Sequence, residues 1–211
     1  MRYKVMVVDD QSIPRHLFEM YIEHSENYEL AFSVKSAAVA DIYLVNNRVD
    51  LILMDILMQD GSNGLDAAEK IKRLYPEIKI IVVTSMVDSS FLSRAREIGV
   101  DSFWYKEAEE LTILEVMDRT MAGQSVYPDR PMRVQLGNIT SDMLTARELE
   151  VLREITTGAS NAMVASKLGI SEGTVKVHIR NLLRRTGFCS RTELAIKARM
   201  LGAAVVPEDM A

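Results

Sequence analysis

Cysteine is nearly missing from these 211 residues: Cys189 is the only one. A single thiol excludes an intrachain disulfide framework and a cysteine-based zinc site, and a lone cysteine reads as a packing residue rather than a nucleophile. Long apolar runs are also missing, none approaching the roughly 20 residues that a membrane-spanning helix needs. No secretory leader is visible at the start, because Met1-Arg2-Tyr3-Lys4 passes directly into a strand-like run instead of an apolar core with a small-residue cleavage site. These absences predict a cytoplasmic protein with no membrane association. Excess positive charge is lacking as well. The net charge of -5 argues against nucleic acid only as a whole-chain average, and the segments differ from that average.

What the chain does have is a regular alternation. From Lys4 to about Met121, short apolar runs (Lys4 to Val8, Glu29 to Val34, Leu51 to Met54, Lys79 to Val83, Ser102 to Tyr105) are separated by longer segments of helical spacing. Alternation of this kind implies βαβ units: an α/β doubly wound, five-stranded parallel sheet with helices on both faces, five strands and five helices in all. Leu65, Ala68, Ile71 and Leu74 keep one apolar stripe, which Pro76 ends, and Leu111, Leu114, Val116 and Met117 keep another less regularly. The strand ends carry the chemistry. Asp9 and Asp10 follow the first run, Asp55 the third, Thr84 the fourth and Lys106 the fifth. In a parallel sheet the C-terminal strand ends line one edge, where ligands bind, so these residues are expected to converge. Carboxylates, a hydroxyl and an amine suit a divalent cation and a phosphoryl group. Taken singly each residue is ordinary, since acidic residues after strands often only cap the next helix.

The length has room for two domains. Between 122 and 140, Gly123, Pro128, Pro131 and Gly137 interrupt any period, and the stretch reads as an interdomain linker. From Thr145 onward the periods are helical only. Thr145 and Glu148 have capping-box spacing, Leu144, Leu149, Leu152 and Ile155 supply a buried stripe, and Gly158 stops the helix. Further helices are predicted from about Asn161 to Leu168, from the N-cap Ser171 to about Thr186, and from Thr192 to Leu201. Helix, short glycine-containing turn, helix is a helix-turn-helix arrangement. Lys167, Lys176, Arg180, Arg184, Arg185, Arg191, Lys197 and Arg199 face only Glu172 and Glu193 there, so this segment is cationic inside an acidic chain. Lys176 and Arg180 share a helix face suited to base edges, Val177 beside them suits a thymine methyl, and His178 a phosphate. By charge alone, a merely solvated basic helix explains the pattern equally well.

Over nearly the whole chain these residues resemble the two-component response regulators of the NarL/FixJ group, which join a receiver domain to a LuxR-type helix-turn-helix. The C-terminal motif is the more specific half: Leu144-Thr145-Ala146-Arg147-Glu148, Gly158-Ala159-Ser160-Asn161, Ala165, Leu168, Ile170-Ser171, Thr174-Val175-Lys176-Val177-His178 and Arg191-Thr192-Glu193-Leu194. The receiver half matches through Asp9-Asp10, Asp55, Thr84-Ser85 and Lys106. The resemblance implies a flavodoxin-like receiver over residues 1–121, a linker over 122–140 and a four-helix DNA-binding domain over 141–211. It implies a transcription regulator, not an enzyme, with Asp55 accepting a phosphoryl group from a sensor histidine kinase. Asp9 or Asp10, with Asp55 and the backbone carbonyl of Leu57, would hold Mg²⁺. Thr84 and Lys106 would contact the phosphoryl oxygens, and Phe103 would follow Thr84 as a switch. Ser171, Thr174, Lys176, Val177, His178, Arg180, Arg184 and Arg191 would contact double-stranded DNA. A homodimer in the active state, its DNA-domain contact in Thr192 to Leu201, and RNA polymerase complete the implied partners. In that mechanism the switch alters the surface around the fourth helix and fifth strand.

One stretch departs from the family. Receivers of this type follow the acceptor aspartate with a methionine-proline turn and a short glycine loop. Here Asp55-Ile56-Leu57-Met58 runs into Gln59-Asp60-Gly61-Ser62-Asn63-Gly64, one residue longer and without the proline. Two other readings stand beside the first. A phosphorylation-independent DNA-binding regulator fits the altered loop. An aspartate-dependent phosphatase would want a second carboxylate two residues after its nucleophile, where Leu57 stands.

Overall fold

The computed structural model describes residues 2–85, 89–106, 111–129 and 133–203. The chain forms two compact units, the first made of Met1–Ser85 and Ser90–Asp129, the second chiefly of Arg130–Pro207. In the first unit the order is β1 (Tyr3–Val8), α1 (Ser12–Glu23), β2 (Tyr28–Val34), a 3-10 segment (Ala37–Leu44), β3 (Leu51–Asp55), α2 (Gly64–Leu74), β4 (Lys79–Thr84), α3 (Ser89–Ile98), β5 (Ser102–Tyr105) and α4 (Ile113–Met121). The five strands lie in the order β2-β1-β3-β4-β5, and every neighbouring pair is parallel. The interior strands read as continuous apolar runs because helices cover both faces. Val5, Val7, Leu51, Leu53, Ile81 and Val83 point to one face, against Phe18 and Ile22 of α1 and Ile113, Val116 and Met117 of α4.

Two expectations change here. The crossover from β2 to β3 is a 3-10 segment, not a fifth α-helix, among the described residues. Its buried Ala37 and Ala40 are three positions apart, which suits a three-residue turn. Of the α2 stripe, Leu65, Ala68 and Ile71 are buried, whereas Leu74 in the last turn is exposed.

The second unit contains a small hairpin, β6 (Gln135–Leu136) with β7 (Ile139–Thr140), and four helices: α5 (Ala146–Thr156), α6 (Asn161–Leu168), α7 (Glu172–Thr186) and α8 (Arg191–Met200). Each helix has a side-chain N-cap, from Thr145, Ser160, Ser171 and Ser190, the hydroxyls satisfying amides that the helix cannot. Thr145 and Glu148 form the expected capping box. Val151, Leu152, Ile155, Val164, Val175, Leu182 and Leu194 build one core.

The stretch 122–140 is not simply a linker. Val126 and Tyr127 bond to residues on or beside β5, and the hairpin belongs to the second core, with Leu136 and Ile139 buried. Gly137 makes the turn at φ +64°, and a Cβ there would lie 2.0 Å from the carbonyl oxygen of Thr186. Two-residue strands are too short to leave a visible period, so the sequence shows only their breakers. Cys189, expected to pack, is exposed. It lies between the C-cap Gly187 and the N-cap Ser190, in a turn where Phe188 instead packs against the core.

Candidate functional site

The C-terminal ends of β1, β3 and β5 deliver Asp9, Asp55 and Lys106 to one point. Asp9 and Asp55 are buried, and the Lys106 ammonium lies 2.8 Å from Asp9 Oδ2 and 2.8 Å from Asp55 Oδ2. Asp10 joins them, so that carboxylate oxygens of Asp9, Asp10 and Asp55 all lie within 4.8 Å of one another. Thr84 is fully buried at the end of β4, its carbonyl accepting from the Lys106 N–H at 2.9 Å. The strand register places Thr84 beside Tyr105 and Val82 beside Phe103, so Thr84 and Phe103 share a sheet face.

The remaining oxygens are held by neighbouring backbone. Asp9 Oδ1 accepts from the Gln11 N–H at 2.8 Å, and Arg15 donates to the Asp9 carbonyl at 2.8 Å. Asp55 Oδ1 accepts from the N–H of Ile56 at 2.8 Å. Asp10 Oδ2 accepts from the Gln59 N–H at 2.7 Å, while Asp10 Oδ1 is buried with no hydrogen-bond partner. Burial pushes the Asp55 carboxyl up to about 6, with the Asp9 charge acting the same way and the Lys106 ammonium opposing both. Burial also works to lower Lys106, but the two carboxylates outweigh it and hold the ammonium above its ordinary range. A raised Asp55 beside a raised Lys106 means that desolvation exceeds the attraction of the ion pair for the acid.

The longer loop is ordered by its own bonds. Met58 N–H donates to Ser62 O at 3.2 Å, Gly61 N–H to Met58 O at 3.1 Å, and Leu57 bridges to Asn63. Asp60 accepts from the N–H and hydroxyl of Ser62, and Asn63 caps α2. Gly64 follows because nothing larger fits: a Cβ there would stand 1.8 Å from the Asp55 carbonyl oxygen. Residues 59–64 stand out in the sequence only as a loop that departs from the family. The bond from Gln59 to Asp10, the cap by Asn63, the close approach of Gly64 and the part of Arg15 have no signal there beyond the turn-forming run from Gly61 to Gly64.

All the converging donors are hard oxygens, with one buried oxygen lacking a partner, and this set fits a hard divalent cation. The arrangement can hold such a cation beside an ionisable carboxylate and an ammonium.

A second constellation lies on α7. Ser171 caps it by accepting from the Thr174 N–H at 3.1 Å. Val175, Ile179 and Leu182 face the core, which turns Lys176, Val177, Arg180 and Arg184 to solvent and leaves Thr174 and His178 half-buried. Three of the counted cations are committed elsewhere. Arg191 donates to Asn161 Oδ1 at 2.8 Å and to the Ala159 carbonyl, and Arg185 donates to Glu148 Oε1 at 2.7 Å and to the Met143 carbonyl at 2.6 Å. Lys167 pairs with Glu154 at 3.0 Å. The open basic face is therefore narrower than the sequence count. Among the described residues no helix is long and apolar enough to cross a membrane.

Comparison with known proteins gives two family matches: "Response regulator receiver domain" over residues 5–118 and "Bacterial regulatory proteins, luxR family" over residues 142–198. The response regulator protein VraR of Staphylococcus epidermidis is 33% identical over 203 residues, 94% of this chain and 97% of that protein. A nitrate/nitrite response regulator protein homolog of Haemophilus influenzae is 31% identical over 199 residues, 92% of this chain and 95% of that one. A solved structure of two RcsB dimers bound to two parallel DNAs has the same fold, with TM-score 0.61 and 20% identity, covering 94% of this chain and 98% of that chain.

Proposed function

Since this chain belongs to the response regulators that join a receiver domain to a luxR-family regulatory domain, we propose that it regulates transcription by binding DNA under the control of phosphorylation at Asp55. The observation that carries the reading is the convergence of Asp9, Asp10, Asp55 and Lys106 on one strand-end pocket, in a chain that also presents the capped, solvent-facing basic side of α7.

In this reading a carboxylate oxygen of Asp55 attacks the phosphorus of a phosphohistidine on a sensor kinase. The P–N bond breaks, the imidazole leaves with the bonding pair and takes up a proton, and an acyl phosphate forms. With its acidity at about 6, Asp55 is mostly ionised at neutral pH and able to attack. Asp9, Asp10 and Asp55, with the Leu57 carbonyl, would hold Mg²⁺, which when bound offsets repulsion between the carboxylates and the incoming phosphoryl group. Lys106 would pair with the new anionic oxygens, and Thr84 would donate its hydroxyl to them. Phe103, on the Thr84 side of the sheet, would follow that threonine.

On α7, Lys176, Val177 and Arg180 would enter the major groove, with Ser171, Thr174, His178 and Arg184 toward the phosphates. The geometry supports a different part for Arg191: it anchors the start of α6 and acts on DNA through that anchoring. Ile196 and Met200 of α8, 53% and 75% exposed, support an active homodimer joined there, which would set two recognition helices on two half-sites. RNA polymerase would then be the partner at the promoter.

The test is intact mass of wild type and Asp55→Ala after incubation with a small phosphodonor and Mg²⁺, followed by duplex binding of both. One phosphoryl adduct on wild type alone, with tighter duplex binding, is the expected result. Equal duplex binding without any adduct would instead make the chain a phosphorylation-independent regulator.

A further inference from the structure

Phe103 is 1% exposed and lies between two other rings. Tyr105 meets it edge-on with centroids 5.2 Å apart, and Tyr127 stacks on it at 6.3 Å. Tyr127 is not part of the sheet. It belongs to the segment that leaves α4 and leads toward the second unit, and it is held by three elements. Its hydroxyl donates to the Val100 carbonyl at 2.7 Å, the Arg96 guanidinium of α3 stands 5.0 Å from its ring centroid, and Phe103 supports its other contact. The adjoining backbone is fastened to the same strand. Phe103 N–H donates to the Val126 carbonyl at 2.8 Å, and Val126 N–H donates to Ser102 Oγ at 3.0 Å. Ser102 Oγ is itself hydrogen-bonded to Thr120 Oγ1 of α4 at 2.7 Å. The anchor of the segment on the open edge of β5 is thus centred on Phe103.

We propose that Tyr127 carries the state of the Asp55 centre into the interdomain segment: the segment stays docked on β5 while Phe103 keeps its present position, and movement of Phe103 undocks it. The proposal rests on the reading of Asp55 as phosphoacceptor and of Phe103 as the residue that follows Thr84. Its physical basis is close packing, since a buried ring cannot turn without displacing the groups that cover it. Burial pushes the Tyr127 phenol up to about 12, so its hydroxyl remains a donor to Val100 throughout the neutral range and the clamp answers to Phe103, not to pH. Coupling of this kind is reciprocal: freeing the segment must favour the phosphorylated state by the same factor that phosphorylation frees the segment.

Hydrogen exchange of the full chain tests this, read in peptides covering residues 99–106 and 122–129, with beryllofluoride and Mg²⁺ as the phosphoryl mimic. Adduct formation from a small phosphodonor is followed by intact mass in parallel. In wild type the mimic is expected to speed exchange in both peptides about tenfold by lowering the cost of local opening, and to do nothing in Asp55→Ala. Tyr127→Ala should exchange fast without the mimic and bind beryllofluoride several-fold more tightly, whereas Tyr127→Phe, which keeps the ring, should stay close to wild type. An adduct on wild type with unchanged exchange in these peptides overturns the proposal and leaves the phosphoacceptor reading standing. Slow exchange in unmodified Tyr127→Ala also overturns it, because the ring would then not be the clamp. Absence of an adduct overturns the phosphoacceptor reading and the proposal with it.

Discussion

The backbone N–H of Gln59 donates to Asp10 Oδ2 at 2.7 Å and leaves Asp10 Oδ1 as the buried oxygen without a partner. Receivers that carry proline after the methionine have no N–H to offer there. The amide holds one oxygen of a carboxylate that belongs to the acidic cluster, and Gln59→Pro removes it without touching a carboxylate. A hydrogen bond to a charged group contributes about 1.5–3 kcal/mol. Water at this exposed rim replaces part of that, so Mg²⁺ affinity by titration calorimetry should fall about three- to tenfold. Tighter binding in the variant would mean that the amide competes with the cation for Asp10 and does not position it.

Asp55 should make stability depend on pH. Its folded acidity of about 6 lies above the ordinary 3.8, so between those values the folded state keeps a proton that the unfolded state has released. Stability therefore falls as pH rises through this window, and the full cost, at most about 3 kcal/mol, is present above it. Asp55→Asn should accordingly unfold at a higher temperature than wild type above pH about 7, with the difference vanishing near pH 4. Added Mg²⁺ should narrow the gap, because it binds folded wild type more tightly. A variant less stable than wild type at neutral pH would show that the Lys106 pair outweighs desolvation.

Gly64→Ala should disable the pocket from outside it. The added Cβ would stand 1.8 Å from the Asp55 carbonyl oxygen, a backbone atom that cannot rotate away, so β3 and α2 must separate. We expect a loss of more than about 2 kcal/mol in urea unfolding, and a phosphoryl adduct that is slow or missing. Wild-type stability with normal adduct formation would sink this account.

Substitutions among the cations of the second unit should sort into two groups. Lys176→Ala and Arg180→Ala leave the fold unchanged but weaken binding to the preferred duplex by about 1–3 kcal/mol each, whereas Arg184→Ala lowers the slope of log affinity against log salt by about one. Arg191→Ala instead removes the bonds to Asn161 and Ala159. It should destabilise the second unit by about 1.5–3 kcal/mol, visible as earlier loss of helical circular dichroism on heating, with duplex binding lost as a consequence. If Arg191→Ala melts like wild type yet binds poorly, the residue contacts DNA directly.

Much of this architecture was legible from residue order. The apolar runs of β1, β3 and β4 and the acid, hydroxyl or amine after each strand announce a parallel sheet with a polar edge, because parallel strands must be buried on both faces and must all end on one side. Ser171, Gly169 and the spacing of Val175, Ile179 and Leu182 likewise mark the two helices and their turn, since caps and periods are local. Other features had no local trace. Arg185 looks like Arg184 in the sequence, yet it is bound to Glu148, which lies 37 residues away. Arg191 is bound across 30 residues to Asn161, and Gln59 across 49 to Asp10. Residues 126 and 127 sit in a stretch without any period and still dock on β5. By itself the sequence determined which elements form and which chemical groups stand at their ends, because short-range periodicity and capping decide those. Only the tertiary structure decided which of those groups are free to act and which are already engaged, because hydrogen bonds between residues far apart in the chain depend on where the folded backbone brings them together.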